Sequence, residues 1–389
     1  MKGVFFLKNI DELESIESAL LGGDCNKIEL ILGTRKLSRL GELNDEDIPQ
    51  AIKFCQKNNI PVFLEWDILM TENNFQQCIS NLNKFDLSAF DAVRVQDIGA
   101  YHYLLKHTDV QVQLILESGN HNLVSILKWE DVAGSRLDRI ILGIELPKNI
   151  IKKYTSSLKT SCELQVLGKI LLFYSPRSLL ARPLEIGGDQ LLAKASSEES
   201  PHKGFSVIEN SHGTFMFLPK DQFLMDIYSD VSEVGLEYLR FDHRFLEGDV
   251  SLNETMKLFL TNCSSLWESF KASYTSRFIR GYFNVNKSDA IFPKLKNYRT
   301  LKKSNSYIGK VVDVKKDQYL AISLFKNNSK NLQIGDVIEI SAPDGKVKKM
   351  EVKTIKDISL KHLKKTDGQN IVLIPHVGGI SVKSQVHYF

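Results

Sequence analysis

Five cysteines in 389 residues are too few and too scattered to staple a fold. Cys25, Cys55, Cys78, Cys162 and Cys263 are odd in number and include no C-x-x-C pair. That excludes a disulfide framework and a zinc site of ordinary thiolate spacing, and it fits buried thiols in a reducing compartment. Long apolar runs are also missing. No stretch reaches the ~20 apolar residues that a membrane-spanning helix needs. The N-terminal MKGVFFLKNIDELES turns acidic before a signal-peptide core can form. The expected location is therefore cytoplasmic, with no membrane partner. No G-x-G-x-x-G follows the first apolar run, so a dinucleotide-binding sheet lacks its fingerprint. Excess charge is absent too: 50 Lys+Arg face 47 Asp+Glu, a formal net charge of +3.

What is present is ordinary for a globular chain: 43% hydrophobic and 25% charged residues, at a length that suggests two domains. The near-neutral total conceals a split. Residues 287–389 carry 20 Lys+Arg against 9 Asp+Glu, whereas residues 1–286 carry 30 against 38. A basic tail behind an acidic body is read in two ways, as a docking surface for a polyanion or as a well-solvated lysine-rich surface.

Short apolar runs alternate with helical patterns along the first two thirds of the chain. The runs at 3–7, 27–32, 61–66, 92–96, 111–116, 139–143, 164–172 and 238–242 read as strands, with amphipathic helices between most of them. Repeated strand–helix units mean a parallel sheet, and this many units predict an α/β fold of the (β/α)8, TIM-barrel-like type, with an irregularity. The irregularity is 175–219, where the rhythm breaks into a longer segment with a hairpin-like stretch at 205–218. Insertions after a barrel strand sit at the catalytic mouth. Residues 253–271 read as one helix. The predicted domains are 1–285 for the barrel, 286–305 for a polar, basic linker, and 306–389 for a small all-β barrel with short strands and turns such as Pro343-Asp344-Gly345.

The order of several segments resembles peptidase family U32 across nearly the whole chain. They are DAVRVQDIG at 91–99, RIILGIEL at 139–146, ELQVLG at 163–168, GTFM at 213–216 with Asp221, LRFDHR at 239–244, RGY at 280–282, and IGDVIEI at 334–340 followed by Pro343-Asp344-Gly345. The resemblance implies an irregular barrel and, in longer members, a β-barrel like a translation-factor domain. Members were first labelled collagenase-like proteases. Relatives support hydroxylation of a tRNA uridine, of a ribosomal RNA cytidine or of the ubiquinone ring, and hold an iron–sulfur cluster with cysteines just after the glycine that here is Gly168. This chain reads Lys169-Ile170-Leu171-Leu172 there, and a cluster needs about four thiolates. No cofactor and no metal are therefore expected. The family's Arg before Glu145 is Ile144 here, and its Glu and Gly in the 239–244 segment are Asp242 and His243.

Candidate residues follow from strand ends. Glu145, Glu163 and Asp242 are the candidate acid–base groups, because a carboxylate at the barrel mouth has a shifted pKa. A structural ion pair, with Arg244 as a partner, is the competing reading for both glutamates. Arg244 is a fork for an oxyanion. Asp97 is either a substrate contact or the N-cap of the helix that follows. Trp66 is either a ring-binding stacking platform, with the acids Glu65 and Asp67 on either side, or a packed rim residue. Ser118 sits near His121 without a nucleophile-elbow pattern. His202 and His212 flank the insertion without the spacing of a metal site. In the tail, Lys346, Lys348 and Lys349 lead a lysine set suited to phosphates. The partner expected is tRNA or rRNA, or a family paralogue. The functional expectation is RNA base modification, as a cluster-free paralogue or partner subunit. The alternatives are a U32-type peptidase and a non-enzymatic binding protein.

Overall fold

Eight short apolar segments find one another in parallel. The first seven are β1 (Lys2–Leu7), β2 (Ile28–Gly33), β3 (Val62–Trp66), β4 (Ala92–Val95), β5 (Gln111–Ile115), β6 (Leu137–Ile141) and β7 (Ser161–Ser175), and each pairs with the next. An antiparallel arm then intervenes, built of β8 (Gln190–Ser196), β9 (Lys203–Asn210) and β10 (Gly213–Phe223). The eighth stave, β11 (Tyr238–Phe241), pairs in parallel with both β1 and β7 and closes the ring, and the two-residue β12 (Phe278–Ile279) adds to β10. In this computed structural model the described residues are 1–20, 24–117, 121–180, 190–196, 203–246, 250–274, 277–284, 306–325, 331–343, 347–367 and 370–389. The chain divides into two compact units, Met1–Ala290 and Ile291–Phe389. The linker expected at 286–305 lies wholly outside the described residues.

Helices cover the outside of the ring: α1 (Glu12–Leu20), α2 (Ile48–Lys57), α3 (Glu72–Leu82), α4 (Ile98–His107), α5 (Leu123–Ala133), α6 (Lys148–Ser157), α7 (Tyr228–Ser232), α8 (Leu252–Thr261) and α9 (Ser264–Ser273). The starts are chemically marked. Asp97 accepts a hydrogen bond from the Ala100 backbone N–H, Asn122 from Ser125, and Ser251 from Glu254, which satisfies backbone donors that a helix leaves open. The single helix expected at 253–271 is two. Asn262 adopts a left-handed φ of 44° and caps α8, and α9 starts anew after Cys263; asparagine is one of the few residues that takes this conformation readily. No described helix is long and apolar enough to cross a membrane.

Strand parity sorts the residues of the ring. Phe5, Leu30, Leu64, Val93, Leu114, Ile140, Leu164 and Leu239 face the helices and form the main core. Their neighbours along each strand face the lumen. A small apolar cluster of Val4, Phe6, Ile31, Phe63 and Ala92 fills part of that space. The rest is charged or polar and buried: Glu29, Glu65, Arg94, Gln113, Arg139, Glu163, Gln165 and Arg240. Branched apolar side chains dominate the lumen of most such barrels, so this interior departs from the usual filling.

The second unit is an antiparallel sheet of eight strands: β13 (Tyr307–Lys315), β14 (Tyr319–Leu324), β15 (Val337–Ser341), β16 (Val347–Glu351), β17 (Ile355–Lys356), β18 (His362–Leu363), β19 (Ile371–Pro375) and β20 (Gln385–Tyr388). In space they run β16-β15-β20-β13-β14-β19-β17-β18. Alternation along β13, β15 and β20 places Ile308, Val311, Ile338, Ile340 and Val386 in a core of its own around which the sheet curls.

Candidate functional site at the barrel mouth

The carboxyl ends of the barrel strands surround a cavity of about 210 Å³, on the face where barrels of this type place their chemistry. Asp67 follows β3, Glu117 follows β5, Asp242 and Arg244 follow β11, and Arg39 arrives on the loop after β2. The antiparallel arm supplies the opposite wall through Tyr174, Phe215 and Phe217. Tyr174 and Phe215 stack with ring centroids 4.7 Å apart, and the Arg39 guanidinium lies 5.4 Å from the centre of the Tyr174 ring. Gly168 makes the bend possible where β7 leaves the ring for the arm. Its φ is +141°, and a Cβ there would stand 3.0 Å from both the Cβ and the carbonyl oxygen of Asp242.

Below the cavity the charges form a ladder. Glu29 meets Arg139 at 2.7 Å, and Arg139 donates to Glu163 at 3.0 Å. Arg94 donates to Glu163 through both terminal nitrogens, at 2.5 and 3.2 Å. Arg240 lies 3.9 Å from Glu163 and donates to Gln165 and Glu117. Arg39 donates to Glu117 at 2.7 Å and to Asp67 at 2.7 Å from both its backbone N–H and its Nε. Burial alone would raise the Glu163 carboxyl, but Arg94, Arg139 and Arg240 outweigh it and hold it down at about 2. Glu117 behaves alike: burial opposes its charge, Arg39 and Arg240 favour it, and it sits at about 2. Both are fixed anions, not proton carriers.

Glu65 is the exception. It is buried in the same wall, accepts a hydrogen bond from the Ser38 hydroxyl at 2.5 Å, and makes no close ion pair: Arg244 stands 3.9 Å away and Arg94 acts on it more weakly. Burial and the neighbouring Asp67 push its carboxyl up to about 7. Arg244 is engaged elsewhere. It forks onto Asp242 with two bonds of 2.9 Å, donates to the Leu40 carbonyl at 3.0 Å, and stacks 3.5 Å from the centre of the Phe6 ring. Arg39 is 6% exposed, yet its Nη1 has no hydrogen-bond partner among the described residues. A buried guanidinium nitrogen left open beside a cavity is a donor held ready for a ligand acceptor.

A sequence model of peptidase family U32 matches residues 30–279, which takes in every mouth residue just described. The chain belongs to peptidase family U32. It is 19% identical over 211 residues to the tRNA hydroxylation protein P2 of Bacillus subtilis strain 168, covering 52% of this chain and 67% of that protein. Among solved structures, the U32 peptidase Mk0906 aligns over 43% of this chain and 70% of its own, at 9% identity and a TM-score of 0.36. The C-terminal domain of a Geobacillus thermoleovorans protein described as a U32 peptidase aligns over 23% of this chain and 99% of that domain, at 14% identity and a TM-score of 0.21.

Within this U32 barrel the residues expected at the site separate. Asp67, Asp242 and Arg244 line the cavity, as does Glu145, which is 53% exposed at the rim with the His121 ring 3.8 Å away. Glu163 does not reach the mouth. It stands near the start of β7, level with Tyr238, and its oxygens are taken by Arg94 and Arg139 rather than by Arg244. Trp66 points away from the mouth, because Glu65 and Asp67 on either side of it point in. It is fully buried against Phe75 and Tyr103. Asp97 is the N-cap of α4 and does not line the cavity. Ser118, His202 and Lys346 lie outside the described residues. Lys348 and Lys349 stand on β16 of the other unit, Lys348 donating to the Gly378 carbonyl and Lys349 lying 3.2 Å from the centre of the Phe389 ring.

The decisive groups that sequence reasoning gave no role of their own are Arg39, Glu117 and Arg240, with Glu65, which was read only as an acid flanking Trp66. Glu65 and Arg240 carried a signal, a charge at the inward parity of an apolar strand; Arg39, on an irregular loop, carried none. Among the described residues no three His, Cys, Asp or Glu side chains stand together as a metal-binding set. The five thiols lie on five separate segments: before β2, in α2, in α3, in β7 and between α8 and α9. Cys162, the nearest to Gly168 in sequence, faces the helix layer, and burial pushes its thiol up to about 12. A cluster held by four thiolates does not fit this donor set.

Proposed function

We infer that the chain acts in RNA base modification, holding one nucleotide at the barrel mouth, and does so without an iron–sulfur cluster of its own. In this reading it is a substrate-holding paralogue or partner of a cluster-bearing member, and it works in the cytoplasm. The observation that carries the reading is the cavity itself. It offers stacked aromatic rings on one side and an open guanidinium nitrogen with a protonatable carboxyl on the other, in a volume of about 210 Å³. That is below the ~300–1,000 Å³ of most small-molecule pockets and suits one ring system. Extruded bases are read by such a combination of stacking and edge hydrogen bonds. The relative named for tRNA hydroxylation makes tRNA the first substrate to examine.

The test is mass spectrometry of nucleosides from tRNA and rRNA of a deletion strain. Loss of a hydroxylated nucleoside, restored by the wild-type chain and not by Glu65→Gln, is the expected result. A full nucleoside complement in the deletion strain overturns the reading. The family's description also carries a peptidase reading. Hydrolysis of casein or gelatin by the purified chain, abolished by Glu145→Ala, would establish that one instead.

A further inference from the structure

Beside the mouth lies a second and larger cavity of about 1040 Å³, walled on one side by β8 and β9 of the arm and on the other by the segments that follow β1, β2 and β11. Its lining is one-sided in charge. Among the described residues, Lys8, Arg35, Lys36, Lys169, Lys194 and Arg244 contribute six cations to the lining, and Glu42 is the single carboxylate. The inner cavity differs: Arg39, Lys169, Arg240 and Arg244 stand among five carboxylates there. The cations of the groove gather on a part of the chain whose sequence is net acidic, so their grouping is not a by-product of composition. Four of them have acidic neighbours: Arg244 and Lys169 are held by the buried Asp242 and Asp221, whereas Lys36 with Asp45 and Lys8 with Glu42 at 3.9 Å form pairs nearer the surface. Solvent-screened pairs such as these last two are weak and yield readily to a phosphate. Leu40, Lys169 and Arg244 line both cavities, so the groove and the mouth adjoin across these three side chains. Lys169, held by Asp221 at 3.2 Å, stands at the junction.

We propose that this groove is the track for a single-stranded RNA backbone, which lays its phosphates on the groove cations and delivers one base past Lys169 and Arg244 into the mouth. The proposal rests on reading the mouth as a nucleotide site. Its geometry selects a single strand over a duplex, because a cationic groove with a one-ring cavity at its floor admits a strand whose base has left the stack. It also places the polyanion contact on the barrel unit, not on the lysines of β16.

The experiment measures binding of a fluorescein-labelled RNA of about 12 nucleotides to the full chain between about 50 and 200 mM salt. The comparison is between wild type, the groove triple variant Arg35→Ala/Lys36→Ala/Lys194→Ala, and the tail variant Lys348→Ala/Lys349→Ala. All three groove positions are exposed, so the fold tolerates the change. Leu192→Glu, at a groove position 69% exposed, is an independent variant that adds repulsion without removing a contact. Expected are about a tenfold loss of affinity for the triple variant and a salt slope smaller by about 2, since each single-strand phosphate contact contributes roughly 0.7. Leu192→Glu should weaken binding, and the tail variant should bind as wild type does. A groove variant with unchanged affinity and slope, against a wild type that binds, overturns the groove and leaves the RNA reading standing. A wild type that binds no RNA at about 50 mM salt removes both.

Discussion

Glu65 and Glu163 are both buried carboxylates on inward strand positions, and their surroundings give them opposite chemistry. Three guanidinium groups hold Glu163 ionised at about 2; Glu65, with Ser38 and no close ion pair, keeps its proton to about 7. The signs of the two linkages differ accordingly. Glu65 has a raised value, so its ionisation costs stability as pH climbs from its ordinary 4.5 to about 7. Glu65→Gln should therefore gain urea resistance relative to wild type at pH 8 and show little difference at pH 4.5. It should also flatten any pH dependence of ligand binding near neutrality, which a titration between pH 6 and 8 reads directly. Glu163→Gln is predicted to cost about 3–5 kcal/mol by urea denaturation, because it strands Arg94, Arg139 and Arg240 in the lumen. A variant within about 1 kcal/mol of wild type would show that the arginines find other partners.

At the scale of elements, the strand–helix rhythm was legible because each stave is a short apolar run with a period the eye can count. All eight staves lie close to where the alternation puts them. The divergence came at elements whose neighbours in sequence are not their neighbours in space. β7 was read as ending near 172, but it runs on to Ser175, since its last residues leave the ring to pair with β10. The helix pair α8–α9 looked continuous because apolar spacing survives the break at Asn262. Of the two readings of Trp66 the packed one holds, in the helix layer and not at the rim, and parity decides it: a strand that points Glu65 and Asp67 inward must point Trp66 outward. Trp66→Ala should accordingly lose about 3–5 kcal/mol of stability in urea and leave ligand affinity unchanged. Asp97→Ala, at the start of α4, should lose about 1 kcal/mol with no effect at the mouth. If either substitution lowers affinity while the protein stays folded, the site extends beyond the cavity. The arm was legible as an insertion at the mouth with a hairpin at 205–218, which β9 and β10 form; its pairing with the end of β7 was not, because nothing local says which strand an antiparallel extension will join.

For the molecule as a whole, the near balance of charge hides two separate electrostatic designs. The second unit carries exposed lysines over a small apolar core of its own. The first takes its charge inside, as pairs stacked from Glu29 up to Asp67, so its stability is tied to carboxylates that must stay ionised. Glu163 and Glu117 both fall to about 2, and their contribution is fully present above the ordinary 4.5 and is lost as pH falls from there toward 2. Trp66, Trp129 and Trp267 all belong to Met1–Ala290, so tryptophan fluorescence reports that unit alone. An acid titration should show the fluorescence change between about pH 4.5 and 2 and shift to lower pH in no single-arginine variant of the ladder. A transition well above pH 4.5 would mean that other groups govern it. The closing stave has a consequence of another kind. β11 is four residues long and is made more than sixty residues after β7 begins. During synthesis, therefore, β1 and β7 present bare parallel edges until residue 241 has emerged. Over that interval the nascent chain is an open sheet with a hungry rim, the form in which β proteins most readily capture one another.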